Sequence, residues 1–146
     1  MAIKDYFNIK ELVCKHVYSQ FKEQSWQFLD PKLLETIFVI RKNLNKPMII
    51  NTWSSGGRFS QRGLRCNICD LVKSKTQSNR LYLSAHMQGT AVDFDVQGMS
   101  AEEVRKWIER NKVLLPYPIR LEEGVNWVHL DMRNDGSKGR VTYFKG

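Results

Sequence analysis

The segment Ser84-Ala85-His86-Met87-Gln88-Gly89-Thr90-Ala91-Val92-Asp93 sets an imidazole seven residues ahead of a carboxylate, and Gly89 between them permits a tight approach. Two such donors plus one from elsewhere make the set of three protein ligands, with a fourth position left for water, that is typical of a catalytic zinc. His129, in the middle of the strand-like run WVHLD, is the third candidate. On spacing alone a plainer reading stays open, in which Asp93 simply pairs with a neighbouring arginine. The remaining histidine, His16, falls on a predicted helix and reads as surface or core filler. Cys66-Asn67-Ile68-Cys69 is a CxxC pair, but a structural zinc needs a second pair, which Cys14 alone does not supply. A thioredoxin-like role needs a βαβ unit, and none is visible, so the pair reads as two ordinary thiols in a loop.

Those side chains must be held by elements with their own local signals. Asn8 predicts a helix start, with Glu11 closing a capping box and Ile9, Leu12, Val13, Val17 and Phe21 following as one buried stripe. Asp30 and Pro31 predict the cap and first position of a second helix that carries Leu33, Leu34, Ile37, Phe38, Ile40 and Leu44 and stops before Pro47. PMIINTW, 47–53, reads as a strand, and 56–83 as a long functional loop rich in Arg, Lys, Ser, Asn and Gln. In TAVDFDV, 90–96, strict alternation places Val92, Phe94 and Val96 on one face and Ala91, Asp93 and Asp95 on the other. Ser100 and Glu103 form a capping box for a third helix, with Val104, Trp107 and Ile108 facing the core. PIRLEE (118–123) and NWVHLDMR (126–133) predict a hairpin around Gly124, and RVTYF (140–144) a last strand. Helices packed on an antiparallel sheet, an α+β domain, is the fold class this order predicts.

The length, 146 residues, suits one domain spanning 1–146, large enough to bury a core without disulfides. Three cysteines are an odd number and fit a reducing compartment better than a disulfide framework. Lys4, Asp5, Lys10, Glu11 and Lys15 break up the N-terminal run, so no signal peptide is expected and synthesis is expected in the cytoplasm. No apolar run approaches a membrane span. The net charge of +8 favours an anionic partner, for which nucleic acid and an anionic cell wall are both suited.

SAHMQGTAVDFDV resembles the S-x-H-x-x-G-x-A-x-D motif of the zinc D-alanyl-D-alanine carboxypeptidase and dipeptidase family, and WVHLD resembles that family's second metal-binding element. The two stand in the family's order with a helix between them. DFDVQGMSAEEVRKWI and IRLEEGVNWVHLDMR extend the likeness to the single-domain members found in phages and prophages, so that it covers roughly residues 47–133. The resemblance implies the α+β fold shared by these peptidases and the Hedgehog signalling domain. It also implies a zinc cofactor on His86, Asp93 and His129.

The activity implied is hydrolysis of peptide bonds in bacterial peptidoglycan, as a carboxypeptidase or an endolysin-type endopeptidase. Several members carry the proton-relaying acid three residues before the last histidine, where this chain has Asn126, an amide unable to act as a base. Glu122 or Glu123, at the end of the partner strand, is the replacement, and strand alternation allows only one of them to serve. Asp131 shares the His129 face and could orient that ring or pair with Arg133. Ser84 matches the motif serine and is a candidate substrate contact. Arg58 resembles a substrate-steadying arginine, with Arg62 and Arg65 as neighbours of the same type. The partner expected is a peptidoglycan peptide, with no nucleic acid or membrane, met by a monomer after phage-type release or from a virion. The departure at Asn126 keeps a second function class in view, a non-catalytic zinc-containing module that binds cell wall or another anionic polymer.

Overall fold

The structure is a computed structural model that describes residues 2–134 and 136–146. Among the described residues five α-helices and five strands form an α+β arrangement: α1 (Ile9–Leu12), α2 (Lys15–Phe21), α3 (Pro31–Leu44), β1 (Met48–Ile49), α4 (Asp70–Thr76), β2 (Ala91–Val96), α5 (Ala101–Arg110), β3 (Ile119–Glu122), β4 (Val128–Asp131) and β5 (Val141–Phe144). The strands lie in the order β1-β2-β4-β3-β5. Neighbours run antiparallel except β3 and β5, which are parallel. The sheet is therefore mixed where an antiparallel one was expected. The chain leaves β4, passes β3 and returns along its far edge in the β3 direction.

The predicted caps form. At α1 Asn8 Oδ1 accepts from Lys10 N and Glu11 Oε2 accepts from Asn8 N, and at α3 Asp30 Oδ1 accepts from Lys32 N (2.8 Å). Ser100 and Glu103 exchange bonds at the start of α5. The first helix does not run from Asn8 to Phe21 as its stripe predicts; it stops at Leu12 and restarts at Lys15. Val13 is drawn into extended backbone, bridged to Leu64, while Asn51 Nδ2 and Trp53 Nε1 both donate to its carbonyl oxygen. Three tertiary partners thus outcompete the next helical turn.

The strand expected over 47–53 shrinks to Met48–Ile49, because the Asn51 amide donates to the Glu11 carbonyl instead of to a strand. Beyond it, the Arg62 carbonyl accepts from Asp93 N (2.6 Å) and takes over the vacated edge of β2. The expected long loop contains α4, a helix that buries only Val72 and so shows no apolar stripe in the sequence.

Alternation along the strands sorts the sheet into two faces. Val92, Phe94, Val96, Ile119, Leu121, Val128 and Leu130 join Leu33, Ile37 and Ile40 of α3 and Val104 and Ile108 of α5 in one core. The registers Asp93↔His129 and Arg120↔Asp131 place the polar residues on the opposite face. Trp107, expected in the core, packs against it half-buried.

Candidate metal centre

His86 sits in a turn at residues 84–89 that leads into β2. Ser84 Oγ accepts from the His86 amide (3.2 Å), and the turn closes through Gly89 at φ +71°. A side chain at Gly89 would run into the Phe28 carbonyl oxygen, so glycine serves both the positive φ and the close approach. The imidazole of His86 is 4% exposed and its Nδ1 donates to the Gly63 carbonyl (2.9 Å). That bond turns the ring so that Nε2 is directed at Asp93 Oδ2, 3.3 Å away.

Asp93 and His129 face each other across the β2–β4 ladder, with His129 Nδ1 2.8 Å from Asp93 Oδ1. On its other side His129 Nε2 meets Asp131 Oδ2 at 2.8 Å. Arg120 grips both Asp131 oxygens at 2.9 and 2.8 Å, and the Arg133 amide donates to the same carboxylate. The expected link between Asp131 and Arg133 is therefore through backbone, and the ion pair goes to Arg120.

One ligand atom each from His86, Asp93 and His129 lies within 4.8 Å of the others. The chemistry of the set suits a metal: His86 Nε2, a carboxylate oxygen and His129 Nδ1 converge, and each imidazole has its other nitrogen engaged by a carbonyl or a carboxylate, the usual support of a ligating histidine. Without a metal the set holds itself together by protons. Burial opposes charge on His129, but hydrogen bonds to Asp131 and Asp93 overcome it and raise its pKa to about 9. Burial would raise both carboxyls, yet hydrogen bonds from His129 and His86 hold Asp93 well below the usual carboxylate range, and those from His129 and Arg120 bring Asp131 to about 2. Two ionised carboxylates thus flank the buried imidazolium, with Arg65 on Asp93 and Arg120 on Asp131, an arrangement compatible with a metal in place of the shared protons.

The centre opens into a cleft of about 490 Å³ whose lining includes Glu122, Ser84, Arg65, Tyr82, Trp127 and Phe144. Glu122 lies on the strand face of Arg120 and is half-buried beside the three donors, whereas Glu123 is exposed and outside the cleft lining. Asn126 is exposed. Arg58 is exposed, with its guanidinium over the Phe59 ring, and borders Asp93 only from an adjoining groove. Arg62 is taken up by Asp95 at 2.9 Å. Arg65 is the arginine that reaches the centre: its Nη2 stands 3.3 Å from Asp93 Oδ2 and its amide donates to the His86 carbonyl. Sequence reasoning named the arginine-rich loop but had no local signal to choose within it.

A second gathering was missed. Cys14, His16, Cys66 and Cys69 bring their ligand atoms within 4.8 Å of one another, so Cys14 and His16 together supply the second pair that the CxxC lacked. The available signal was the C-x-H spacing at 14–16, set against C-x-x-C some 50 residues on. Among the described residues no helix is long and apolar enough to cross a membrane. No family model, no curated protein and no solved structure matches the chain.

Proposed function

We propose that this chain is a zinc-dependent peptidase acting on the peptide part of bacterial peptidoglycan, with His86, Asp93 and His129 as the zinc ligands in a Hedgehog-like α+β fold. The observation that carries the reading is the convergence of His86 Nε2, the Asp93 carboxylate and His129 Nδ1 at the floor of a cleft that also contains a glutamate. Three protein ligands match a catalytic rather than a structural zinc, because a position stays open. Zinc bound there brings the pKa of water toward neutrality and polarises a scissile carbonyl.

Within that scheme Glu122 accepts the proton of the attacking water on its carboxylate and returns it to the leaving amine. Glu122 takes the role left vacant by Asn126, and its place in the cleft favours it over the exposed Glu123. Arg65 stands beside the ligand carboxylate and offers its remaining N–H groups to the developing oxyanion. Ser84, whose Oγ already accepts from the His86 amide, has its own hydroxyl proton to donate to substrate. Lys75 and Arg133 on the cleft wall suit the carboxylates of a peptidoglycan stem peptide.

The test is digestion of purified peptidoglycan by wild type, Glu122→Gln and His129→Ala, with mass analysis of the fragments. Wild type releases peptides or single D-amino acids, whose masses name the bond cut, and both variants lose that release. Identical products from wild type and His129→Ala, or none from wild type loaded with zinc, would sink the proposal. Zinc binding without hydrolysis would leave a wall-binding module as the better account.

A further inference from the structure

We propose that Cys14, His16, Cys66 and Cys69 bind a second, structural zinc ion that fastens the 54–90 segment to the N-terminal helices. Cys66 Sγ lies 3.3 Å from His16 Nδ1 and 3.7 Å from Cys69 Sγ, and Cys69 Sγ lies 3.7 Å from the same nitrogen. A tetrahedron with zinc–sulfur arms of about 2.3 Å has edges of about 3.8 Å, so these donors already stand close to the corners of one coordination shell. None of the three cysteines is in a disulfide. Three sulfurs and one imidazole nitrogen complete four-coordination with protein atoms, which is the closed arrangement of a structural site. Thiolate donors favour zinc over magnesium or calcium.

The local backbone is built to present these groups. Cys14 and Cys69 are each 1% exposed and cap α2 and α4, so two helix starts converge on the site. Cys69 N donates to the Cys66 carbonyl, folding the CxxC into a tight turn. The chains carrying the two halves are already laddered beside it, with Leu64 N donating to the Leu12 carbonyl and Cys14 N to the Leu64 carbonyl. His16 is exposed, yet its Nδ1 faces the sulfurs. A purely apolar packing of thiols has no use for that imidazole. On loading, the three thiols release their protons to solvent and the neutral imidazole contributes its lone pair, giving a zinc–thiolate centre of net charge about −1.

The position gives the site a purpose. Gly63 and Arg65, immediately before Cys66, are the residues that hold His86 and Asp93. A metal clamp at Cys66 and Cys69 therefore steadies the scaffold of the first centre while contributing no atom to it.

The two sites are distinguishable by chemistry. Full-length protein purified without chelator is expected to carry two zinc ions per chain by elemental analysis. His129→Ala is expected to keep one, which a mercurial thiol reagent releases; Cys66→Ser/Cys69→Ser is expected to keep the other, which the reagent leaves in place. Should the double cysteine variant fail to fold, cobalt-loaded His129→Ala decides: thiolate-to-cobalt charge-transfer absorption in the near ultraviolet is expected. Absence of that absorption, or retention of all bound zinc after complete thiol modification, overturns the proposal. Neither readout depends on peptidase activity, so failure of the hydrolysis assay leaves this inference standing and its own failure leaves the hydrolysis assay untouched.

Discussion

His129 carries the electrostatics of the first centre, because its ring contacts both Asp93 and Asp131. For His129 to take up a metal, Nδ1 has to give up its proton while Nε2–H keeps donating to Asp131. With a pKa of about 9 it is protonated at pH 7, so zinc uptake there is expected to release about one proton from this residue. Calorimetric titrations in buffers of different ionisation enthalpy measure that release, and enthalpies independent of buffer would contradict it. The sign for the metal-free fold follows the same group. Folding raises its pKa from 6.5 to about 9, so its contribution to stability is complete below pH 6.5 and is lost as pH rises through 9. Asp131→Asn keeps the shape of the carboxylate and removes its charge, and is expected to weaken zinc binding by about 10- to 100-fold in competition with a chelating dye. Glu122→Gln is expected to retain zinc and lower hydrolysis by about 10²- to 10⁴-fold, whereas Glu123→Gln leaves the rate unchanged in the same assay.

At the scale of elements, β2 does the sorting. Val92, Phe94 and Val96 point into the core, and Asp93 between them points to the centre, so the period of two that buries the strand also delivers the carboxylate. The turn before β2 sets the His86 imidazole, and it depends on Gly89. Gly89→Ala adds a methyl group against the Phe28 carbonyl oxygen at a positive φ and is expected to destabilise the fold by about 1 to 3 kcal/mol from backbone strain alone. Denaturant unfolding of the metal-free protein measures this without interference from zinc. Ser100→Ala, by contrast, removes the cap of α5 far from the centre and is expected to cost about 1 kcal/mol with no change in zinc affinity.

For the whole molecule, the 54–90 segment lies against the sheet and carries residues of both candidate ligand clusters. Segment and sheet are joined by the ion pairs of Arg62 with Asp95 and Arg65 with Asp93 and by the Asp93 amide donating to the Arg62 carbonyl, while Leu64 reaches the main core. Metal is therefore expected to matter to stability as well as to chemistry. Zinc in about 1,000-fold excess over its Kd is expected to stabilise the fold by about 4 kcal/mol per site, and chelation to lower Tm by the corresponding amount. Thermal scans with and without chelator, repeated on His129→Ala, separate the contribution of the first centre from that of the cysteine cluster.

Sequence alone determined the caps of α1, α3 and α5, the two faces of β2 and the hairpin around Gly124, because each depends on residues close together in the chain. On spacing alone Asp93 was open between His86 and a neighbouring arginine, and the fold brings both His86 and Arg65 to it. Asp131 beside His129 was legible for the same reason, two residues apart on one face. Tertiary structure decided the rest. The break at Val13 answers to Leu64, Asn51 and Trp53, and no stripe within the helix reports a competing partner that distant. β5 lies parallel to β3 because of where the chain returns, which its own four residues do not encode. The choice of Arg65 over Arg58 and of Glu122 over Glu123 depends on which side chain the packed sheet turns toward the cleft. The cysteine cluster shows the limit most clearly: Cys66 meets His16 across 50 positions, and only the folding of the loop against α2 makes neighbours of them.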